Sequence, residues 1–202
     1  MTIECIPVYI LMGTCGCGKT TYAEALVKEF GCHYIEGDRL HPEANVQKMS
    51  AGIPLTDGDR WGWLTEIRDT YVAEARKIQA ASGVGRHQLD KSDIIVVTCS
   101  ALKRCYRDLL RDVPLLLTDS TTISVQFVYL KGTYKLIESR MIERTDHFMA
   151  TKMLDSQWQT LEVPDPLMEP SIIVQDISAD TETVVQSLVQ EITKRLLSNT
   201  MC

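Results

Sequence analysis

Eight residues near the start of the chain, Gly13-Thr14-Cys15-Gly16-Cys17-Gly18-Lys19-Thr20, constrain the fold more than any other segment. They match the spacing G-x-x-x-x-G-K-[ST], follow the apolar run from Ile6 to Met12, and precede Ala23, Leu26, Val27 and Phe30 at helical spacing. In a strand–loop–helix setting the glycines let backbone N–H groups turn inward around phosphate oxygens, and the helix N-terminus near Lys19 adds its positive dipole end. Lys19 then neutralises β and γ oxygens, the Thr20 hydroxyl meets Mg²⁺, and Thr21 joins the eight loop residues as an expected phosphate-binding residue. The pattern calls for ATP or another nucleoside triphosphate with Mg²⁺. It says nothing about what receives the phosphate.

Further runs rich in β-branched residues occur at Asp93 to Thr98, Val125 to Leu130 and Ser171 to Gln175, with a weaker one at Cys32 to Glu36. Between them lie helical spacings: Leu64, Ile67, Tyr71, Ala75 and Ile78, then Val185, Leu188, Ile192 and Leu196. This alternation predicts an α/β fold, a parallel sheet of about five strands with helices on both faces. Ser82 to Ser92 and Val113 to Ser124 read as surface loops. At 202 residues, with no repeat or linker, the chain is expected to form one domain spanning residues 1–202.

With 21 basic and 27 acidic side chains the formal charge is −6, which excludes a general electrostatic footprint for nucleic acid or an anionic membrane. No signal-peptide pattern and no bilayer-length apolar run is present, so a cytoplasmic protein is expected. The seven cysteines are odd in number and lack paired metal-ligand spacing, as expected of reduced thiols.

From Glu36 onward the chain resembles the gluconokinases, P-loop small-molecule kinases related to shikimate kinase. The resemblance rests on Gly37-Asp38-Arg39-Leu40-His41-Pro42, Asn45 with Lys48-Met49, Gly52-Ile53-Pro54-Leu55, Asp57, Asp59-Arg60 and Trp63-Leu64. It continues through Cys99-Ser100-Ala101-Leu102-Lys103, Tyr106-Arg107-Asp108, Arg140, Arg144, His147-Phe148-Met149 and Ser156-Gln157. It implies transfer of the γ-phosphate of ATP to D-gluconate, giving 6-phospho-D-gluconate for the pentose phosphate pathway. It also implies a homodimer, although no stripe in the sequence marks an interface.

Residue chemistry fits such an acceptor, since a carboxylate wants guanidinium or ammonium partners and hydroxyls want carboxylate and imidazole partners. Asp38, at the carboxyl end of the second expected strand, is the candidate to accept the proton of the attacking hydroxyl; capping the next helix is its alternative role. Arg60 is a substrate ligand by resemblance, with a surface ion pair as the alternative. Lys103 and Arg107 sit four apart, on one face of a helix, as a candidate grip on the acceptor carboxylate or a solvated basic face. His41, His147 and Gln157 complete the expected acceptor side.

Arg140 and Arg144 fall where the resemblance places a mobile lid, about residues 140–157, and are candidates for stabilising the transferring phosphoryl group. Trp158, Met149 and Met153 are expected to pack under it. Three departures from the family pattern occur: Cys15 and Cys17 where small residues are usual, Glu36 for a frequent Asp, and Gly62 where Pro is common. A thiolate at Cys15 or Cys17 would make the loop oxidation-sensitive. No aspartate ends the strand at Thr98, which leaves Glu36 or Asp38, through water, as the further contact to Mg²⁺ beside Thr20.

Overall fold

A computed structural model describes residues 4–81, 90–114, 117, 121–143 and 147–199. The expected runs form strands β1 (Glu4–Met12), β2 (His33–Glu36), β3 (Ile95–Thr98), β4 (Thr121–Lys131) and β5 (Ile172–Asp176). They make one sheet in the order β2-β3-β1-β4-β5, and every pairing is parallel. The connections are helices α1 (Lys19–Phe30), α2 (Glu43–Ser50), α3 (Asp57–Ala81), α4 (Arg104–Arg111), α5 (Tyr134–Ile142), α6 (His147–Thr160) and α7 (Thr181–Asn199).

Strand residues point alternately to opposite faces, and a parallel sheet buries both. Ile6, Val8, Ile10 and Met12 pack with Leu64, Ile67 and Tyr71 of α3 and Tyr106 and Leu110 of α4. Tyr9 and Leu11 pack on the other face with Tyr22 and Leu26 of α1 and Leu188 and Ile192 of α7. The α/β architecture with helices on both faces is therefore the observed one.

Several strand boundaries differ from the sequence expectation, and two of the shifts have a visible cause. β4 begins at Thr121 rather than Val125, because Thr121 to Ser124 pair with Glu4 to Pro7 of β1 and bury Thr121 and Ile123. Threonine and serine there continue the ladder. β3 begins at Ile95 rather than Asp93, since Lys91–Asp93 forms a 3-10 turn closed by reciprocal capping between Asp90 and Asp93. Of the loop expected from Ser82, residues 82–89 lie outside the described residues, as do 115, 116 and 118–120 of the second loop.

β1 lies between β3 and β4, and the chain leaves it first toward β2 and later crosses to β4. Such a reversal of strand order opens a crevice at the carboxyl edge of the sheet. The loops after β1, β2 and β3 gather there. Cys99 N donates to Leu11 O (3.1 Å) and Gly13 N to Ser100 O (3.3 Å), which ties the first and third of these loops together.

Candidate active site

The phosphate-type loop is built by backbone conformations that only glycine adopts freely. Gly18, the N-cap of α1, has φ +96°, and a Cβ there would lie 2.9 Å from the Tyr22 ring. Lys19 opens the helix and folds its Nζ back onto the carbonyls of Gly13 (3.2 Å) and Thr14 (3.0 Å). Burial opposes its charge, but Cys17 and Asp38 outweigh that and hold its pKa above the ordinary lysine value. Thr14 Oγ1 is buried with no hydrogen-bond partner among the described residues, so the loop holds polar capacity that a phosphate oxygen would meet.

Thr20 leaves the same helix turn and donates its hydroxyl to Glu36 Oε2 (3.1 Å). Glu36 also accepts hydrogen bonds from the hydroxyls of Tyr34 and Thr98. Burial would raise its pKa, yet these donors and the Asp38 N–H hold the carboxyl below its usual value, so it stays a carboxylate. With its proton committed to Glu36, the Thr20 oxygen keeps lone pairs for a hard cation. Tyr34 and Thr98, which the sequence did not single out, lock this carboxylate. Gly37 follows because nothing larger fits: a Cβ would lie 2.1 Å from the Thr98 carbonyl.

The residues expected on the acceptor side face the loop across a cleft of about 320 Å³, within the range of small-molecule sites. Lys19, Thr20, Thr21, Asp38, His41, Arg60 and Gln157 all line it. Asp38 sits in a 3-10 turn, Gly37–Leu40, held to β3 by Gly37 N donating to Thr98 Oγ1 (3.2 Å) and to α3 by Trp63 Nε1 donating to Gly37 O (2.7 Å). His41 stacks on Trp63 with ring centroids 4.0 Å apart and planes 13° apart. Arg60, nearly buried, reaches the Leu55 carbonyl (3.4 Å) and lies 5.9 Å above the Tyr106 ring.

Helix α6 closes onto the loop from the other direction. Gln157 Oε1 accepts from Cys15 N at 2.7 Å, and Met153 and Ser156 join the cleft wall. Trp158 packs edge-on against Tyr134 at 5.5 Å. The Cys15 thiol touches the Met141 sulfur at 3.7 Å, and burial pushes its pKa up to about 11. At neutral pH Cys15 is a thiol, the opposite of the activated thiolate entertained from sequence. The side chains of His147 and Met149 and the whole of Arg144 lie outside the described residues.

Three expected site residues are placed away from the cleft. Lys103 is the N-cap of α4 and pairs with Asp57 (2.7 Å), which also accepts from Tyr106 Oη (2.5 Å). Arg140 donates to the Ile177 carbonyl (2.8 Å) rather than toward the loop. Arg107 corrects the sequence reading outright. Its side chain is 1% exposed, because its guanidinium grips Glu169 Oε1 and Oε2 (2.7 and 2.9 Å) and donates to the carbonyls of Ala101, Leu102 and Glu162. Each of its three nitrogens is bonded internally and the side chain is buried, so it is not presented to a substrate carboxylate.

Arg111 adds a third contact to Glu169 at 2.6 Å, so two guanidiniums pin the segment between α6 and β5 onto α4. They hold the Glu169 carboxyl down at about 2. Because the folded pKa is depressed below the unfolded value near 4.3, this contribution is present above that value and is lost as pH falls from there toward about 2. Glu169→Gln should destabilise the fold by about 1.5–3 kcal/mol at neutral pH, and by progressively less below pH 4. Urea unfolding at both ends of that window checks it, and an undiminished loss in acid would contradict it.

Several known proteins similar to this chain bear gluconokinase names. It is 36% identical over 187 residues to the thermoresistant gluconokinase of Escherichia coli, covering 93% of this chain and 94% of that one. It is 40% identical over 159 residues to a probable gluconokinase of Schizosaccharomyces pombe, covering 78% and 73% of the two chains. A solved gluconokinase from Sinorhizobium meliloti superposes with a TM-score of 0.76 at 33% identity, over 98% of each chain. No family model matches the chain. With a phosphate-type loop and a polar wall facing each other across one cleft, and likeness of this extent to several gluconokinases, the chain belongs to the gluconokinase family.

Proposed function

We propose that the protein transfers the γ-phosphoryl group of ATP to D-gluconate, giving 6-phospho-D-gluconate and ADP. The observation that carries this reading is the single cleft lined by Lys19 and Thr20 on one wall and Asp38, His41 and Arg60 on the other. The acceptor hydroxyl oxygen forms the new bond to phosphorus while the bond to the β,γ-bridging oxygen breaks, and Asp38 takes the hydroxyl proton. Lys19 compensates charge on the transferred group. Thr20, held by Glu36, is the residue that would hold Mg²⁺, and the ion would supply positive charge to offset that of the triphosphate.

Arg60 is the cleft-lining cation suited to the acceptor carboxylate, and His41 is suited to an acceptor oxygen. Lys103 is outside the cleft lining and paired with Asp57. Lys103→Ala should therefore raise the KM for gluconate less than Arg60→Ala does, with the KM for ATP unchanged in both. The lid is the region of about residues 140–157, a reading supported by the Gln157 contact to the loop. Chromatographic identification of the phosphorylated product from a panel of gluconate, other sugar acids, shikimate and nucleoside monophosphates tests the whole reading. Faster turnover of any other acceptor would overturn it.

A further inference from the structure

Asn45, on α2, is 3% exposed and lies behind the cleft rather than in its lining. Its amide nitrogen Nδ2 has two hydrogens. One goes to the Asp59 carbonyl at 2.8 Å and the other to His41 Nδ1 at 3.3 Å. The Asp59 carbonyl only accepts, so a flipped amide would set oxygen against oxygen; the orientation of Asn45 is fixed by that contact. An amide nitrogen in turn only donates. His41 Nδ1 must therefore carry a lone pair, and in the neutral ring the proton sits on Nε2.

The surroundings hold this arrangement. Lys48 of α2 is paired with the Asp59 carboxylate, which also accepts from Thr56 N (2.9 Å) and Thr56 Oγ1 (2.8 Å), so α2 and the start of α3 are clamped together. Trp63 fixes the plane of the ring. The charged groups that face His41 are Asp38 from the 3-10 turn and Arg60 from α3. Burial first, and then Arg60, lower the His41 pKa against the opposing effect of Asp38. Protonating Nδ1 would also turn the Asn45 contact into two donors face to face.

We propose that Asn45 is a positioning residue that fixes the Nε2–H form of His41, making the imidazole a neutral hydrogen-bond donor to an acceptor oxygen in the cleft. This deepens the acceptor reading and rests on it only for the identity of that oxygen, a hydroxyl or carboxylate oxygen of the sugar acid. It assigns His41 a donor role and leaves the proton of the attacking hydroxyl to Asp38. Asn45 carries no assigned role in the sequence reading; it stands on the first turn of α2, four residues after His41, which lies just ahead of that helix.

Two measurements test it. In the ligand-free, ¹⁵N-labelled wild-type protein, two-bond ¹H–¹⁵N correlation should show His41 Nδ1 as an unprotonated, pyridine-like nitrogen and Nε2 as a protonated, pyrrole-like one at pH 7. A proton on Nδ1, or a doubly protonated ring at that pH, would overturn the assignment without any variant. In Asn45→Ala the ring nitrogens should move toward averaged shifts as both neutral forms become populated, with the KM for gluconate raised about three- to tenfold and the KM for ATP unchanged. Ring shifts identical to wild type, or equal rises in both constants, would refute the positioning role. If the wild type does not phosphorylate gluconate, the acceptor reading fails while the ring spectrum still decides this one.

Discussion

Lys19→Ala should lower kcat by about 10³ while leaving the fold intact. A preorganised cationic donor aimed at developing phosphoryl charge is typically worth about 10²–10³ in rate, and Lys19 is the cation of the loop itself. Its Nζ now rests on the carbonyls of Gly13 and Thr14, so it is already at the loop and needs only to change acceptors. The fold should survive because those carbonyls can turn to water and α1 is anchored elsewhere, by Tyr22, Ala23, Leu26 and Phe30. Steady-state rates with gluconate, beside a thermal melt, check both halves. A rate within tenfold of wild type would remove the loop from the reaction.

Local patterns carried much of the architecture. The eight-residue loop and the runs at Ile6 to Met12 and Cys32 to Glu36 could be read because strand, glycine turn and helix start each leave a signal within a few residues. Asp38, His41 and Arg60 were legible as a group from family resemblance, and the structure brings all three to one cleft. Arg107 shows where such reading stops. Its position one turn from Lys103 predicted a shared anion grip, but its partner Glu169 is 62 residues away, and no local pattern announces a buried ion pair. The same holds for the contact of Gln157 with Cys15, 142 residues apart.

Glu36 illustrates the opposite case. The sequence lacks an aspartate at the end of β3, the place where a metal-supporting carboxylate is often sought. At that position Thr98 donates to Glu36 on the neighbouring strand, in register across the β2–β3 ladder. The carboxylate at this edge of the sheet stands one strand over, on β2, with Thr98 as its hydrogen-bond support. That arrangement needs the strand order, which becomes visible only once β2 is seen to pair with β3.

Asp38→Asn should lower kcat by at least about 10², bind ATP normally and bind gluconate more weakly. Loss of general-base assistance is typically worth about 10²–10⁴ in rate, whereas loss of one charge-assisted hydrogen bond costs roughly 1.5–3 kcal/mol of binding. A loose, metaphosphate-like transition state asks little nucleophilic push, so the measured fall separates positioning from proton transfer. Saturating gluconate isolates the chemical step: a large rise in KM with kcat nearly intact would leave Asp38 as a substrate clamp only. The substitution carries a second signature in the ligand-free protein. The Asp38 carboxylate is the group that raises the His41 pKa against burial and Arg60, so its neutralisation should move the His41 titration to lower pH. A His41 titration unchanged in Asp38→Asn would show that the two side chains do not share the cleft electrostatically, and the assignment of both to one acceptor would fall with it.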